Sequence, residues 1–175
     1  MSFENNDAKK NNIVLIGMPA SGKSTVGVIL AKVLGFGFID SDILIQKQQN
    51  RKLHEIIEQD GIDSFIEIEN DVNASIDAQK CVIATGGSAV YGDEAMQHLK
   101  KIGVVVYLHV DYDNLVSRLN DIKQRGVVIR PGQSFKQLYE ERTALYRKYA
   151  DIIVDEERDS AEQVLNKIVE QMDDN

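Results

Sequence analysis

A three-layer α/β sandwich built on a parallel sheet is the fold class this sequence predicts, and three features predict it. Short apolar runs recur along the chain with helical stretches between them. The runs are continuous rather than alternating with polar residues, as in parallel strands covered on both faces. The first run passes straight into a Gly-rich turn and then an amphipathic segment, the opening of an α/β unit.

Taken in order, strands are expected at IVLIG (13–17), GFGFID (35–40), CVIAT (81–85), VVVYL (104–108) and DIIV (151–154), each a run of β-branched or aliphatic residues. Helices are expected over 23–34, 43–49, 53–59, 62–78, 94–101, 113–123, 135–149 and 161–172. Two stretches lack a period, TGGSAVYGD after the third strand and QRGVVIRPGQS between two helices, and both fall where ligand-facing loops sit. The polar start MSFENNDAKKNN (1–12) reads as a frayed tail. No repeat and no Pro/Gly-rich linker divides the rest, so 13–175 is expected to be a single domain.

With 175 residues, 43% of them hydrophobic, the chain is long enough to bury a core of its own. Its net charge of −8 repels phosphate backbones and anionic lipid, which argues against nucleic acid and membranes as partners. Any small anion must then be met by a local cluster of Lys and Arg. One cysteine, Cys81, permits no internal disulfide and no multi-thiolate metal site, which favours a reducing, cytoplasmic setting. The chain carries no apolar run of membrane-spanning length and its start lacks a signal-peptide core.

The stretch GMPASGKST (17–25) fits G-x-x-x-x-G-K-[ST] and stands directly between the first strand and the first helix. In such a loop Gly17 and Gly22 let the backbone turn, so that N–H groups of Ala20, Ser21, Gly22 and Thr25 and the positive helix end meet phosphate oxygens. Lys23 reaches the β- and γ-phosphates, and the Ser24 hydroxyl suits Mg²⁺. Nucleotide binding follows, the motif alone naming only a nucleoside triphosphate with Mg²⁺; the chain is short for a motor and lacks an N-K-x-D string, which favours a compact kinase.

The second strand ends in FIDSD, placing Asp40 and Asp42 at a carboxyl edge of the sheet, where ligands of parallel sheets collect. One carboxylate can hold Mg²⁺; the other can accept the proton of an attacking hydroxyl. The competing reading is structural: Asp42 caps the helix over 43–49 and Asp40 is solvated.

The order GMPASGKST, DSD, GIDSFIEIE, TGGSAV, IRPG, EERTALYRKYAD resembles the shikimate kinases over residues 13–172. That resemblance implies a P-loop NTPase fold of nucleoside-monophosphate-kinase type, a five-stranded parallel sheet in order 2-3-1-4-5, a substrate-binding segment over 42–78 and a lid over 123–134. It implies transfer of the γ-phosphate of MgATP to a hydroxyl of a small carboxylic acid, shikimate in the first instance, by a monomer. Asp40 is then the metal-side carboxylate beside Ser24, and Asp42 meets the accepting hydroxyl. Gly86 and Gly87 let substrate approach the backbone, Arg130 covers the transferring phosphate, and Arg142 pairs with the substrate carboxylate. Lys123 and Arg125 both match an upstream lid arginine near the adenine. A competing reading makes Arg142 an exposed helix charge or an i,i+4 partner.

Departures from the pattern are specific. Phe65 and Glu69 match a substrate helix F-R-x-x-E, but Ile66 stands in the arginine's place and leaves Glu69 without its cation. One reading of that change is a substrate that brings its own ammonium, such as homoserine, with Arg142 holding its carboxylate and Glu69 or Asp42 its ammonium; the other has Ile66 in the core, Glu67 in water and another basic residue as the second clamp. Ser88 replaces a third glycine and adds a hydroxyl. From a different class, a silent nucleotide-binding regulator would keep the fold without the chemistry. His54, His98 and His109 have no metal-ligand spacing, and Cys81 reads as a small apolar filler.

Overall fold

A computed structural model describes residues 10–119, 127–156 and 159–173. Five strands, β1 (Asn12–Ile16), β2 (Gly37–Asp40), β3 (Cys81–Ala84), β4 (Gly103–His109) and β5 (Ile152–Asp155), form one sheet in the order β2-β3-β1-β4-β5. Every neighbouring pair is parallel, and the central strand registers Ile13 against Val82 on one side and Val104 on the other. The order is the one the resemblance implies.

Helices cover both faces. They are α1 (Lys23–Leu34), α2 (Ser41–Gln49), α3 (Leu53–Asp60), α4 (Ile62–Ala74), α5 (Asp93–Ile102), α6 (Tyr112–Arg118), α7 (Phe135–Tyr149) and α8 (Ala161–Asp173). Alternation along β1 decides which face each residue serves. Val14 and Ile16 join Ile83, Val105 and Tyr107 against Met96 and Leu99 of α5 and Leu138 and Tyr146 of α7. Ile13 and Leu15 join Val82, Val106 and Leu108 against Val26 and Leu30 of α1 and Val164 and Ile168 of α8. Each such side chain, fully buried, contributes about 1.5–3 kcal/mol of transfer free energy. A third cluster lies apart from the sheet, where Ile45, Ile56, Phe65 and Val72 of α2 to α4 enclose Val128, with Ile66 packed against them.

Local chemistry sets the boundaries where they differ from expectation. The strand β1 opens at Asn12, within the stretch read as tail: its amide donates to Ala78 O and Ile102 O and its carbonyl accepts from Cys81 N–H. Lys10 pairs with Asp151 at 3.6 Å; residues 1–9 lie outside those described. The helix α4 stops at Ala74 rather than 78 because Ser75 Oγ bonds back to Val72 O, and the chain then reverses through Lys80 at φ 51° into β3. At the other end, α7 begins on a capping box between Ser134 and Gln137. The expected continuation of α6 from 120 to 123 also lies outside the described residues.

Candidate active site

The carboxyl ends of β1, β2 and β3 deliver three loops to one cavity of about 460 Å³. The phosphate-loop motif fills the turn from β1 to α1. Gly22 sits at φ 83° and Ala20 at φ 65°, left-handed conformations that fold the loop back on itself. Gly17 has no room for a side chain, since a Cβ there would come within 2.7 Å of Leu108 O. Gly22 offers no side chain to cap α1, so the first-turn N–H groups keep their need for an outside acceptor.

Lys23 is only 8% exposed, and its Nζ donates to Gly17 O and Met18 O, both at 2.8 Å, and to Ser21 Oγ at 3.4 Å. Burial lowers its pKa to about 8, against the pull of Asp42. Ser24 Oγ donates to Asp40 Oδ2 at 2.9 Å, while Asp40 Oδ1 accepts from the N–H groups of Asp42 and Ile43. The capping reading therefore had the wrong aspartate: Asp40 caps α2, which starts two residues early, and Asp42 is turned into the cavity. Ser24 and Asp40 present hard oxygen donors beside a phosphate cradle, which suits Mg²⁺ completed by phosphate and water. Among the described residues no cluster of three His, Cys, Asp or Glu could hold a metal alone.

Ala20, Gly22, Lys23, Ser24, Thr25, Asp42, Phe65, Glu69, Gly86, Gly87, Ser88 and Arg142, all named from the sequence, line the cavity. Gly17 and Ser21 stand behind it within the loop, and Asp40 behind Ser24. Burial raises the Asp42 carboxyl to about 6, helped by the charge of Asp40 and opposed by Lys23. Burial likewise raises Glu69 to about 7, where Ser88's hydrogen bond opposes and Asp42 assists. Ser88 Oγ donates to Glu69 Oε2, so the extra hydroxyl holds a carboxylate. Ile66 packs in the third cluster and Glu67 is exposed, as the second reading of that helix has it.

Arg142 is 1% exposed, which overturns the exposed-charge reading. Its Nη2 donates to Val128 O at 2.7 Å, Nε to Tyr91 Oη at 3.4 Å, and the guanidinium lies 5.3 Å from the Tyr91 ring centroid. Among the described residues it has no carboxylate partner, and Nη1 reaches Gly87, whose carbonyl Tyr146 Oη fixes at 2.6 Å. A cation so placed calls for an anion in the cavity.

Arg130 is not on the wall. It is 56% exposed and paired with Asp63 at 2.9 Å. Lys123 and Arg125 lie outside the described residues. Sequence reasoning missed Arg118, the last residue of α6, which lines the cavity with Nη1 3.0 Å from the buried Glu156 Oε1. Reading α6 as running on past Arg118 hid it, whereas Leu119 ends the helix; its place on the helix that follows β4 was the available signal.

A family model for shikimate kinase matches residues 19–173. A shikimate kinase of Thermodesulfovibrio yellowstonii is 39% identical over 163 residues, 91% of this chain and 94% of that protein. One of Sulfurihydrogenibium is 36% identical over 159 residues, 90% of this chain and 95% of that protein. Among solved structures, shikimate kinase from Acinetobacter baumannii in complex with shikimate superposes with a TM-score of 0.85 at 31% identity, covering 95% of both chains. The Aquifex aeolicus enzyme gives 0.79 at 33%, covering 93% of this chain and 96% of that one. With the P-loop, the sheet order and a near full-length match in agreement, the chain belongs to the shikimate kinase family.

Proposed function

We propose that this protein phosphorylates shikimate with MgATP, transferring the γ-phosphoryl group to an acceptor hydroxyl. The observation that carries this reading is Arg142, a buried guanidinium without a carboxylate among the described residues, in the same cavity as Lys23 and Asp42. A fork of N–H donors at one end meets a carboxylate; the phosphate loop at the other meets a polyphosphate; Asp42 stands on the wall with them.

Mg²⁺, when bound, neutralises charge on the β- and γ-phosphates, and Ser24 and Asp40 are the residues that would hold it. Asp42, whose hold on a proton is strengthened by burial, orients the hydroxyl and receives its proton. Gly86, Gly87 and Ser88 bring backbone against the acceptor, with Phe65 as its apolar wall. Lys23 stabilises charge on the moving phosphoryl group, and Arg130 joins it when the lid over 123–134 leaves Asp63 and closes. Arg118, on the cavity wall, is assigned to the nucleotide beside Lys123 or Arg125, which the sequence names for the adenine. The segment 42–78 carries acceptor contacts within one domain, and the enzyme works as a monomer in the cytoplasm, the compartment that a single cysteine favours.

Relatives named shikimate kinase favour shikimate over a hydroxylated amino acid and over a silent regulator. ADP release with MgATP is to be compared for shikimate and L-homoserine, with Asp42→Asn as control. Turnover with shikimate that vanishes in the variant supports the reading; turnover with homoserine alone overturns it.

A further inference from the structure

Glu69 is the most unusual group on the cavity wall. It is 1% exposed, yet among the described residues no Lys, Arg or His lies within ion-pair distance of it. Oε2 accepts from Ser88 Oγ, and Oε1 has no hydrogen-bond partner although it is fully buried. A Cβ on Gly86 would meet both Glu69 Oε1 and Asp42 Oδ1, so the free oxygen faces a second carboxylate across a glycine. An ionised carboxylate in that position would lack a donor at Oε1 and stand against a like charge, two costs that one proton removes.

We propose that Glu69 works as a neutral carboxylic acid: Ser88 pins Oε2, and Oε1 carries a proton that faces Asp42 across Gly86 until an acceptor oxygen enters against Gly86 and takes the bond. The assignment rests on the shikimate reading for the identity of that acceptor, but the proton itself does not. It gives the wall a donor beside Arg142 where Ile66 supplies none. A donating acid binds a hydroxyl or a carboxylate oxygen; an ionised Glu69 would instead select an ammonium.

The charges that face Glu69 come from three elements: Asp42 of α2, which favours the proton, and Lys23 of α1 and Arg142 of α7, which oppose it. Burial is the largest influence and places the titration at about 7. The helix α3 meets α4 through Ile56 in the third cluster, and α5 meets it through Asn70 accepting from Ala95 N–H.

Two arms test the proposal on the full chain. In the first, carboxyl-¹³C glutamate is incorporated and the acceptor-free wild-type protein is compared with Glu69→Gln, so that the missing resonance identifies Glu69. It should titrate well above the ordinary carboxylate range. In the second, kcat/KM for shikimate is followed against pH. Wild type should fall about tenfold per pH unit on the alkaline side, because only the protonated form donates. Glu69→Ala should lose at least about tenfold at pH 6.5. Glu69→Gln, whose amide N–H can stand in for the acid, should recover most of that loss and move the alkaline limb from about 7 to about 8, where Lys23 titrates. Ser88→Ala removes the bond that favours ionisation and should move the limb upward, a shift that a merely structural Ser88 would not cause. A Glu69 resonance that titrates in the ordinary range overturns the proposal whatever the kinetics, as does an alkaline limb that still begins near 7 in Glu69→Gln instead of moving to about 8, where Lys23 loses its proton. An elevated titration without shikimate turnover upholds the proton and overturns the substrate reading instead.

Discussion

Ser24 Oγ donates to Asp40 Oδ2 at 2.9 Å, joining the first turn of α1 to the end of β2, while the other Asp40 oxygen caps α2. One carboxylate thus caps a helix and, in the Mg²⁺ site proposed above, also serves as a ligand, and substitution can separate the two. Asparagine caps a helix about as well as aspartate, whereas alanine loses about 1 kcal/mol. Asp40→Asn should therefore keep its urea midpoint and lose Mg²⁺-dependent turnover, while Asp40→Ala should lose both.

Asp42 titrates at about 6, raised first by burial and then by Asp40. Its basic form is present above that value, so kcat/KM should fall as pH drops through about 6. Asp42→Asn should lower kcat by about 10²–10⁴ and leave nucleotide affinity nearly intact. Coupled ADP release and nucleotide titration check the two halves.

Arg142 contributes a fork that lysine cannot reproduce. Arg142→Lys should raise the KM for shikimate by about 10- to 100-fold, the size of a lost charge-assisted hydrogen bond, with the KM for ATP little changed. Parallel saturation curves for the two substrates show the split.

The raised carboxyl of Glu69 has a consequence for stability with a definite sign. Between the ordinary value of 4.5 and about 7 the native state binds the proton more tightly than the unfolded chain. Its contribution is full below 4.5 and is lost as pH rises through about 7. A displacement of that size corresponds to at most about 3 kcal/mol. Glu69→Gln has no such loss, so its stability advantage over wild type should widen from pH 5 to pH 8 in urea melts.

The Arg130–Asp63 pair is exposed on both sides, and such pairs contribute about 0–1 kcal/mol. On the proposed closing of the lid, Arg130→Ala should leave the urea midpoint nearly unchanged and lower kcat.

Continuous apolar runs such as Ile13–Ile16 announced the parallel sheet because both faces are covered, and the P-loop announced its own position because strand, turn and helix follow in order. The limits of α1 and α7 were legible for the same local reason, a glycine stop after Leu34 and a serine cap before Phe135. The acceptor end was less legible. Which of Asp40 and Asp42 caps α2 turns on backbone direction at the strand end, which a pattern of letters does not carry. That Ser88 would answer Glu69 required two segments 19 residues apart to meet across the cavity. Arg118 escaped notice because a helix end, the least legible part of an element, decides its position.

Val128 belongs to the stretch read as lid, yet it is buried in the small apolar cluster formed by α2, α3 and α4 rather than in either face of the sheet. Its carbonyl also receives Arg142. Amide hydrogens of α2 to α4 should therefore exchange together with those near Val128, at a lower opening free energy than the strands, as one cooperative unit. A ligand held by Arg142 would slow that opening, so protection from exchange at Ile45 or Ile56 becomes a remote reporter of acceptor occupancy.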